Sequence, residues 1–247
     1  MSRLRIATWN LERDDSNSHP VDEQIGRIRI YNPDIAILTE TDDDVDLSPY
    51  GYHKASTAPK QDGKYCAVIW SKYVIQDSFV TYDSETAVCS LVSTSLGSLF
   101  IYGTIITYAM DGVDKGMNMW EEHINEIRKQ GQDWRRLRDS TGGAISLCVA
   151  GDFNQTRCNY RYATKDTRQA LDDALANSGL ECLTQADFGK DGMLKPDPKK
   201  QYPRSNVDHI CVTRGFAPRK TDAYAWDHFT ESGQFLSDHN GVYVDFY

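Results

Sequence analysis

The sequence predicts an α/β fold, a sandwich of mixed sheets, and two observations carry that reading. Short runs rich in Ile, Val, Tyr and Phe recur along all 247 residues, each bounded by Gly, Asp, Asn or Ser. Helical patterns separate only some of them. Several strands therefore follow one another directly, which breaks the regular alternation of a doubly wound parallel sheet. Neither a Walker loop nor a G-x-G-x-x-G turn is present, so a nucleotide-binding Rossmann arrangement is not indicated.

The elements follow in order. Residues 4–9 (LRIATW) read as a strand. In 20–31, Val21, Ile25 and Ile28 share one helical face and Pro20 suits the first turn. Strands follow at 34–39 (DIAILT), 65–70 (YCAVIW), 87–93 and 98–107 (SLFIYGTIIT). A long helix over 117–139 carries Trp120, Ile124, Ile127, Trp134 and Leu137 on its apolar stripe. A strand at 144–150 (AISLCVA) leads to a third helix at 166–178 (DTRQALDDALANS), closed by Gly179. The last strands are 206–213 (NVDHICVT) and 241–246 (GVYVDF). The stretch 189–205 (GKDGMLKPDPKKQYPRS) is a long Gly-, Pro- and Lys-rich loop near the strand-end face. With no repeat or linker, residues 1–247 are expected to form one domain.

Composition narrows the class. No apolar run approaches the roughly 20 residues that a membrane span needs, and the start MSRLRIATWN has no signal-peptide pattern. A soluble, cytoplasmic protein with no membrane partner is expected. Cys66, Cys89, Cys148, Cys158, Cys182 and Cys211 form no C-x-x-C pair, so they read as reduced thiols, four of them in apolar strands. The net charge is −9, unevenly spread: residues 1–127 hold 10 basic and 20 acidic side chains, residues 128–247 hold 17 and 16. An acidic chain is not a typical nonspecific nucleic-acid binder, but one basic face or a bound cation supplies local positive charge.

The strand ends carry the chemistry. Strand 4–9 ends in Asn10, strand 34–39 in Glu40, strand 98–107 near Tyr108, and strand 144–150 in Asp152 and Asn154. Asp208 and His209 lie in strand 206–213, and Asp238 and His239 precede the last strand. Period-two alternation places Asp152 and Asn154 on one face with Phe153 turned to the core. His209, next to Asp208, points the other way and reads as structural. Strand ends of packed sheets deliver side chains to a common crevice. Hard oxygen donors with few imidazoles suit Mg²⁺ or Mn²⁺, and such an ion beside a His–Asp pair suits hydrolysis at phosphorus.

These residues resemble the motifs of the endonuclease/exonuclease/phosphatase superfamily, which has the fold of pancreatic deoxyribonuclease. The matching segments are TWN (8–10), TE (39–40), GDFN (151–154), VDHI (207–210) and SDH (237–239), in the family order. The resemblance implies a four-layer α/β sandwich, two mixed β-sheets packed face to face and flanked by helices. It implies Glu40 as principal metal ligand with Asn10 and Asp238 nearby. It implies Asp152 as the residue that orients or deprotonates water, Asn154 as a phosphate ligand, and His239 as the phosphate-contacting imidazole held by Asp208. Tyr108 is the nearest match to the family's Tyr or His after the fifth strand. WNLERDD and RSNVDHI depart from the abasic-site endonuclease versions of the first and fourth motifs, so that activity is not indicated.

Basic residues cluster at 128–138, 156–165 and 195–204, interleaved with Trp134, Tyr160, Tyr162 and Tyr202. Trp134 and Leu137 belong to a buried stripe, so 128–138 reads as solvated helix surface. The segment 156–165 follows GDFN directly, and Arg157, Arg161 and Lys165 are expected to contact substrate. Trp226 and Phe229 either line the pocket or pack in the core. The expected function is a Mg²⁺- or Mn²⁺-dependent phosphodiesterase acting on nucleic acid, DNA or RNA. The alternative is a phosphatase for a small phosphorylated metabolite or lipid headgroup. A non-catalytic binding module is disfavoured, because the full catalytic set is present.

Overall fold

The computed structural model describes residues 3–13, 20–60, 63–159 and 161–247. Tyr160 and His19 lie outside the described residues. The elements follow in the order β1 (Leu4–Asn10), α1 (Val21–Tyr31), β2 (Ile35–Asp42), β3 (His53–Ser56), β4 (Lys64–Ser71), β5 (Ile75–Phe79), β6 (Ala87–Thr94), β7 (Gly97–Ile105), α2 (Glu121–Ser140), β8 (Ser146–Asp152), α3 (Lys165–Asn177), β9 (Leu180–Cys182), β10 (Asp208–Thr213), β11 (Lys220–Trp226) and β12 (Gly241–Phe246).

Two six-stranded sheets form, ordered β11-β12-β1-β2-β4-β3 and β5-β6-β7-β8-β10-β9. Each is mixed. β1 runs parallel to β2 and β7 parallel to β8, while the other ladders are antiparallel. The inner faces pack Leu4, Ile6, Ile35, Ile37 and Ile69 against Val92, Leu99, Ile101, Ala150 and Ile210. α2 and α3 cover the outer face of the second sheet through Ile127, Trp134, Leu137, Leu171 and Leu175. α1 covers the first through Ile28, which joins Trp9, Leu38, Trp70 and Trp226. Four layers result, as the sequence predicts. Trp226 stacks on Tyr31 at 4.6 Å and meets Trp9 edge-on at 5.7 Å, so it belongs to the core.

All eight predicted strands are present, and the four missed ones are the four sheet edges: β3, β5, β9 and β11. Edge strands bury one flank only, so HKAS, IQDSF, LEC and KTDAYAW carry weak apolar alternation. The long helix starts at Glu121, not at 117. Trp120 sits at φ +71° and its N–H donates to the Ala109 carbonyl at 2.7 Å, which ends the helical path there. Its buried stripe is His123, Ile127, Gln130, Trp134 and Leu137, with Trp120 and Ile124 only half-buried. Thr164 opens α3 with a reciprocal Thr164–Thr167 capping box. Five cysteines are buried and Cys158 is half-buried, and all six are free thiols. Among the described residues no helix is long and apolar enough to cross a membrane.

His123 is fully buried in α2 and its Nδ1 lies 2.6 Å from the Thr107 carbonyl. Burial pushes the ring down to about 4 from an ordinary 6.5. Between these values the unfolded chain binds the extra proton, so stability is complete above about pH 6.5 and is lost as pH falls toward 4. The loss is expected to be on the order of 3 kcal/mol. Denaturant melts at pH 7 and pH 4.5 check this, with His123→Gln flattening the difference.

Candidate active site

The parallel pairing of β1 and β2 brings their C-terminal ends side by side, with Asn10 opposite Thr39. In the facing sheet, antiparallel β8 and β10 place Asp152 directly opposite Asp208. The end of β1 then joins the two sheets. The Asn10 backbone N–H donates to Asp208 Oδ1 at 3.1 Å, and its side-chain Nδ2 donates to Glu40 Oε1 at 2.9 Å and Asp152 Oδ2 at 3.0 Å. Asn10, Asp152 and Asp208 are each at most 1 % exposed. Asn10 Oδ1 accepts from the Glu12 backbone N–H at 2.8 Å, so its amide orientation is set.

Backbone conformation concentrates here. Six non-glycine residues have left-handed φ among the described residues, and three of them are Glu12 (+50°), Glu40 (+46°) and Asn154 (+48°). Such strain persists only where the surroundings over-determine it, and it gathers at functional sites. Gly151 precedes Asp152 at φ +145°, and a Cβ there would stand 1.9 Å from the Thr104 carbonyl oxygen. Only glycine lets β8 pass β7 at that point and deliver Asp152.

Asp152 and Asn154 do lie together with Phe153 buried, but a turn rather than strand alternation brings this about. β8 ends at Asp152, and Asn154 folds back so that its backbone N–H meets Asp152 Oδ1 at 2.8 Å. Its Nδ2 donates to Asp152 Oδ2 at 2.9 Å and to the Ile106 carbonyl at 3.0 Å. Phe153 stacks against Trp134 at 6.2 Å. His209 points away, with Nε2 3.0 Å from the Gln155 carbonyl and Nδ1 3.3 Å from Thr184 Oγ1.

His239 is fixed from three sides. Its Nδ1 lies 2.7 Å from Asp208 Oδ2, its carbonyl accepts from Trp9 Nε1 at 2.8 Å, and its N–H donates to Ser237 Oγ at 2.9 Å. Ser237 Oγ in turn donates to the Asn10 carbonyl at 2.6 Å. Nε2 faces Asp238 Oδ1 at 3.5 Å. Burial opposes charging of the ring, but Asp208, Asp152 and Asp238 outweigh it and raise it to about 10. The imidazole is therefore a cation at neutral pH. Burial pushes the Asp152 carboxyl up to about 7; the His239 cation pulls it down, and Asp208 and Glu40 push it further up.

A cavity of about 380 Å³ opens over this cluster, lined by Asn154, Tyr162, Lys200, Arg204, Asp208, Asp238 and His239, among others. A larger groove of about 590 Å³ lies between α2 and α3, lined by residues that include Arg128, Arg135, Asp166 and Asp173. It contains none of the strand-end residues and no comparable set of converging groups.

Arg157, Arg161, Lys165 and Tyr108 stand outside the cavity lining. Arg157 lies in the loop between β8 and α3, where its guanidinium pairs with Asp172 of α3 at 2.6 Å and its side chain is 11 % exposed. A pair that ties this loop to the middle of α3 supports a packing role, and Arg157→Ala is expected to lower stability by about 1 kcal/mol. Thermal melts beside steady-state kinetics check it, and an unchanged melting point with a raised KM would restore the substrate role. Lys165 is exposed at the first turn of α3 and does not line the cavity. Arg161 is exposed, its guanidinium 5.5 Å above the Tyr202 ring. Tyr108 is 52 % exposed and stands outside the cavity lining. The phenol that lines it is Tyr162, supported edge-on by Trp120 at 5.2 Å.

Two further groups were not singled out in the sequence. Glu12 is exposed, but partial burial raises its carboxyl and Asp238 and Glu40 raise it further against Arg204 and His239, so it feels the charges of the cluster. Arg204, 3.5 Å from Asp238, supplies positive charge from the long loop. Glu12 sits two residues past Asn10, the spacing that pairs Asp152 with Asn154, and that was its one sequence signal.

A carboxylate-rich crevice with a cationic imidazole, set at the strand ends of two face-to-face mixed sheets, defines the deoxyribonuclease-I-like class of phosphoesterase fold. The chain belongs to the endonuclease/exonuclease/phosphatase family, whose profile matches residues 7–239. No curated protein sequence matches it. Among solved structures, it is similar to an AP endonuclease from Archaeoglobus fulgidus, with TM-score 0.74 and 18% identity over 98% of this chain and 99% of that one. The 3′ phosphatase NExo from Neisseria, bound to a product DNA hairpin, gives 0.69 and 19% over 99% of both. D. rerio TDP2 complexed with single-strand DNA product gives 0.67 and 16% over the whole of both.

Proposed function

We propose that the protein is a divalent-metal-dependent phosphodiesterase that hydrolyses nucleic acid. The observation that carries this reading is the Asn10–Glu40–Asp152–Asp208–His239 cluster, closed by hydrogen bonds of 2.7–3.1 Å at the meeting of both sheets. The donor set fits a hard cation such as Mg²⁺ or Mn²⁺. It is oxygen-rich, and burial, with Asp208 and Glu40 beside it, raises the Asp152 carboxyl, a cost that a divalent ion would relieve. Asp152, Asp208 and His239 bring donor atoms within 4.8 Å of one another. A protonated His239 already bound to Asp208 does not ligate, so Glu40 and Asp238 would hold the ion, with Glu12 within reach of both charges. The ion, when bound, supplies Lewis-acid stabilisation of phosphate charge.

The chain's own residues do the rest. Asp152 is the general base, with a proton affinity near neutrality. Asn10 and Asn154 hold it: Asn10 commits its Oδ1 to Glu12 and its Nδ2 to the two carboxylates, and both amide hydrogens of Asn154 are engaged. That supports an orienting role for each, in place of the ligand and phosphate contacts the resemblance implies. His239 donates Nε2–H to a phosphate oxygen, and Asp208 fixes its ring.

Nucleic acid is favoured by the walls of the crevice and by the DNA products held in two similar structures. Tyr162 on Trp120 offers a stacking face, and Lys200 and Arg204 stand in the same cavity for backbone phosphates. The net charge of −9 favours the second reading, a phosphatase for a small phosphorylated metabolite or lipid headgroup. Plasmid, single-stranded DNA, RNA and small phosphomonoesters, each with Mg²⁺, Mn²⁺ or EDTA, separate the two. Metal-dependent cleavage of a polynucleotide is expected. Phosphate release from small esters with polynucleotides left intact would move the protein to the second reading.

A further inference from the structure

His228, in the segment between β11 and β12, is 1 % exposed and takes no part in the chemistry above. Its Nε2 lies 3.2 Å from Asp197 Oδ2, and its Nδ1 lies 2.8 Å from Asn240 Oδ1. Asp197 is itself 1 % exposed and anchors the loop before β10. Its Oδ1 accepts the Lys199 N–H at 2.7 Å, its carbonyl accepts the N–H groups of Lys200 and Gln201, and its Oδ2 lies 3.5 Å from Arg204 Nε. Asn240 closes the circuit by donating Nδ2 to the Arg204 carbonyl at 3.0 Å. Arg204 then projects into the active crevice beside Asp238, and Lys200 lines it too.

A buried carboxylate needs partners, and removing one leaves charge uncompensated. Asp197 is thus the fixed point of the loop, and His228 is the side chain from outside the loop that holds it. A flexible arginine and lysine held this way lose less conformational freedom on binding an anion. A bound metal ion and His239 would serve the scissile phosphate, so a second cationic wall in the same cavity matches the next phosphate along a polynucleotide.

We propose that Arg204 and Lys200 bind the phosphodiester adjacent to the scissile one, and that His228 is the positioning residue that holds them there through Asp197 and Asn240. This rests on the nuclease reading, and the experiment separates the two. Two substrates are compared: a short single-stranded oligonucleotide, and thymidine 5′-p-nitrophenyl phosphate, which has one phosphate only. Arg204→Ala is expected to raise KM for the oligonucleotide about tenfold and to reduce its salt slope by about one phosphate contact, with kcat much less affected. His228→Leu should do the same, and adding it to Arg204→Ala should change little further. His228→Gln, which keeps one N–H for Asp197, should recover part of the loss. KM for the single-phosphate substrate should move far less in the two His228 variants.

Hydrogen exchange over residues 195–204 reads the clamp without turnover and should rise in His228→Leu. Unchanged exchange, or additive effects of the two substitutions, overturns the role of His228. Oligonucleotide cleavage indifferent to Arg204→Ala overturns the phosphate subsite while leaving the nuclease reading intact. Hydrolysis of the single-phosphate ester with no oligonucleotide cleaved overturns both.

Discussion

Asp152→Asn is expected to lower kcat about 10³-fold while leaving the protein folded. Asparagine keeps the size and can still accept through one oxygen, from either the Asn154 backbone N–H or the Asn10 and Asn154 side-chain amides that now hold Asp152 at 2.8–3.0 Å, but it cannot take a proton from water. The same substitution has a second, opposite readout. In the folded protein this carboxyl titrates near 7, against an ordinary 3.8. A raised folded-state value means the stabilisation is complete below about pH 4 and is lost as pH climbs through about 7. Metal-free wild-type protein should therefore lose stability between pH 4 and pH 7, and Asp152→Asn should flatten that loss. Added Mg²⁺ should restore the wild type more than the variant. Kinetics with thermal melts across this range test both halves. Near-wild-type turnover would remove Asp152 as the base, and parallel melting profiles would show that its buried charge is compensated without metal.

Glu40→Gln is expected to act on metal affinity instead. Glu40 is half-buried at φ +46° and receives the Asn10 amide at 2.9 Å, so its position is held by backbone and side chain together. Glutamine preserves the size and removes the charge. The metal concentration for half-maximal rate should rise on the order of 100-fold, and saturating Mg²⁺ or Mn²⁺ should recover much of kcat. Calorimetric titration of the metal into the inactive Asp152→Asn protein, with and without Glu40→Gln, measures the same loss without turnover. A rate deficit that high metal does not relieve would take Glu40 out of the ligand set. Asp238, with its side chain 42 % exposed and Arg204 at 3.5 Å, should show a smaller version of the same effect.

The eight interior strands were legible in the sequence because each is buried on both flanks and reads as an apolar run. So were Asn10, Glu40, Asp152, Asp208 and His239, which stand at or beside strand ends, where polar residues interrupt such runs. That order of motifs set the family and the reaction class. What stayed hidden depends on contacts between segments remote in the chain. The edge strands carry little pattern because one flank meets solvent. Arg157 looked like a substrate cation until α3 folded back to place Asp172 against it. Tyr108 was expected as the active phenol, but past the end of β7 at Ile105 it is half exposed, and the phenol in the cavity wall is Tyr162. Glu12, Arg204 and the buried His228–Asp197 pair have little or no local signature. Their places come from partners far away in the chain, and for His228 and Asp197 from burial, which arise only when the tertiary structure closes around them.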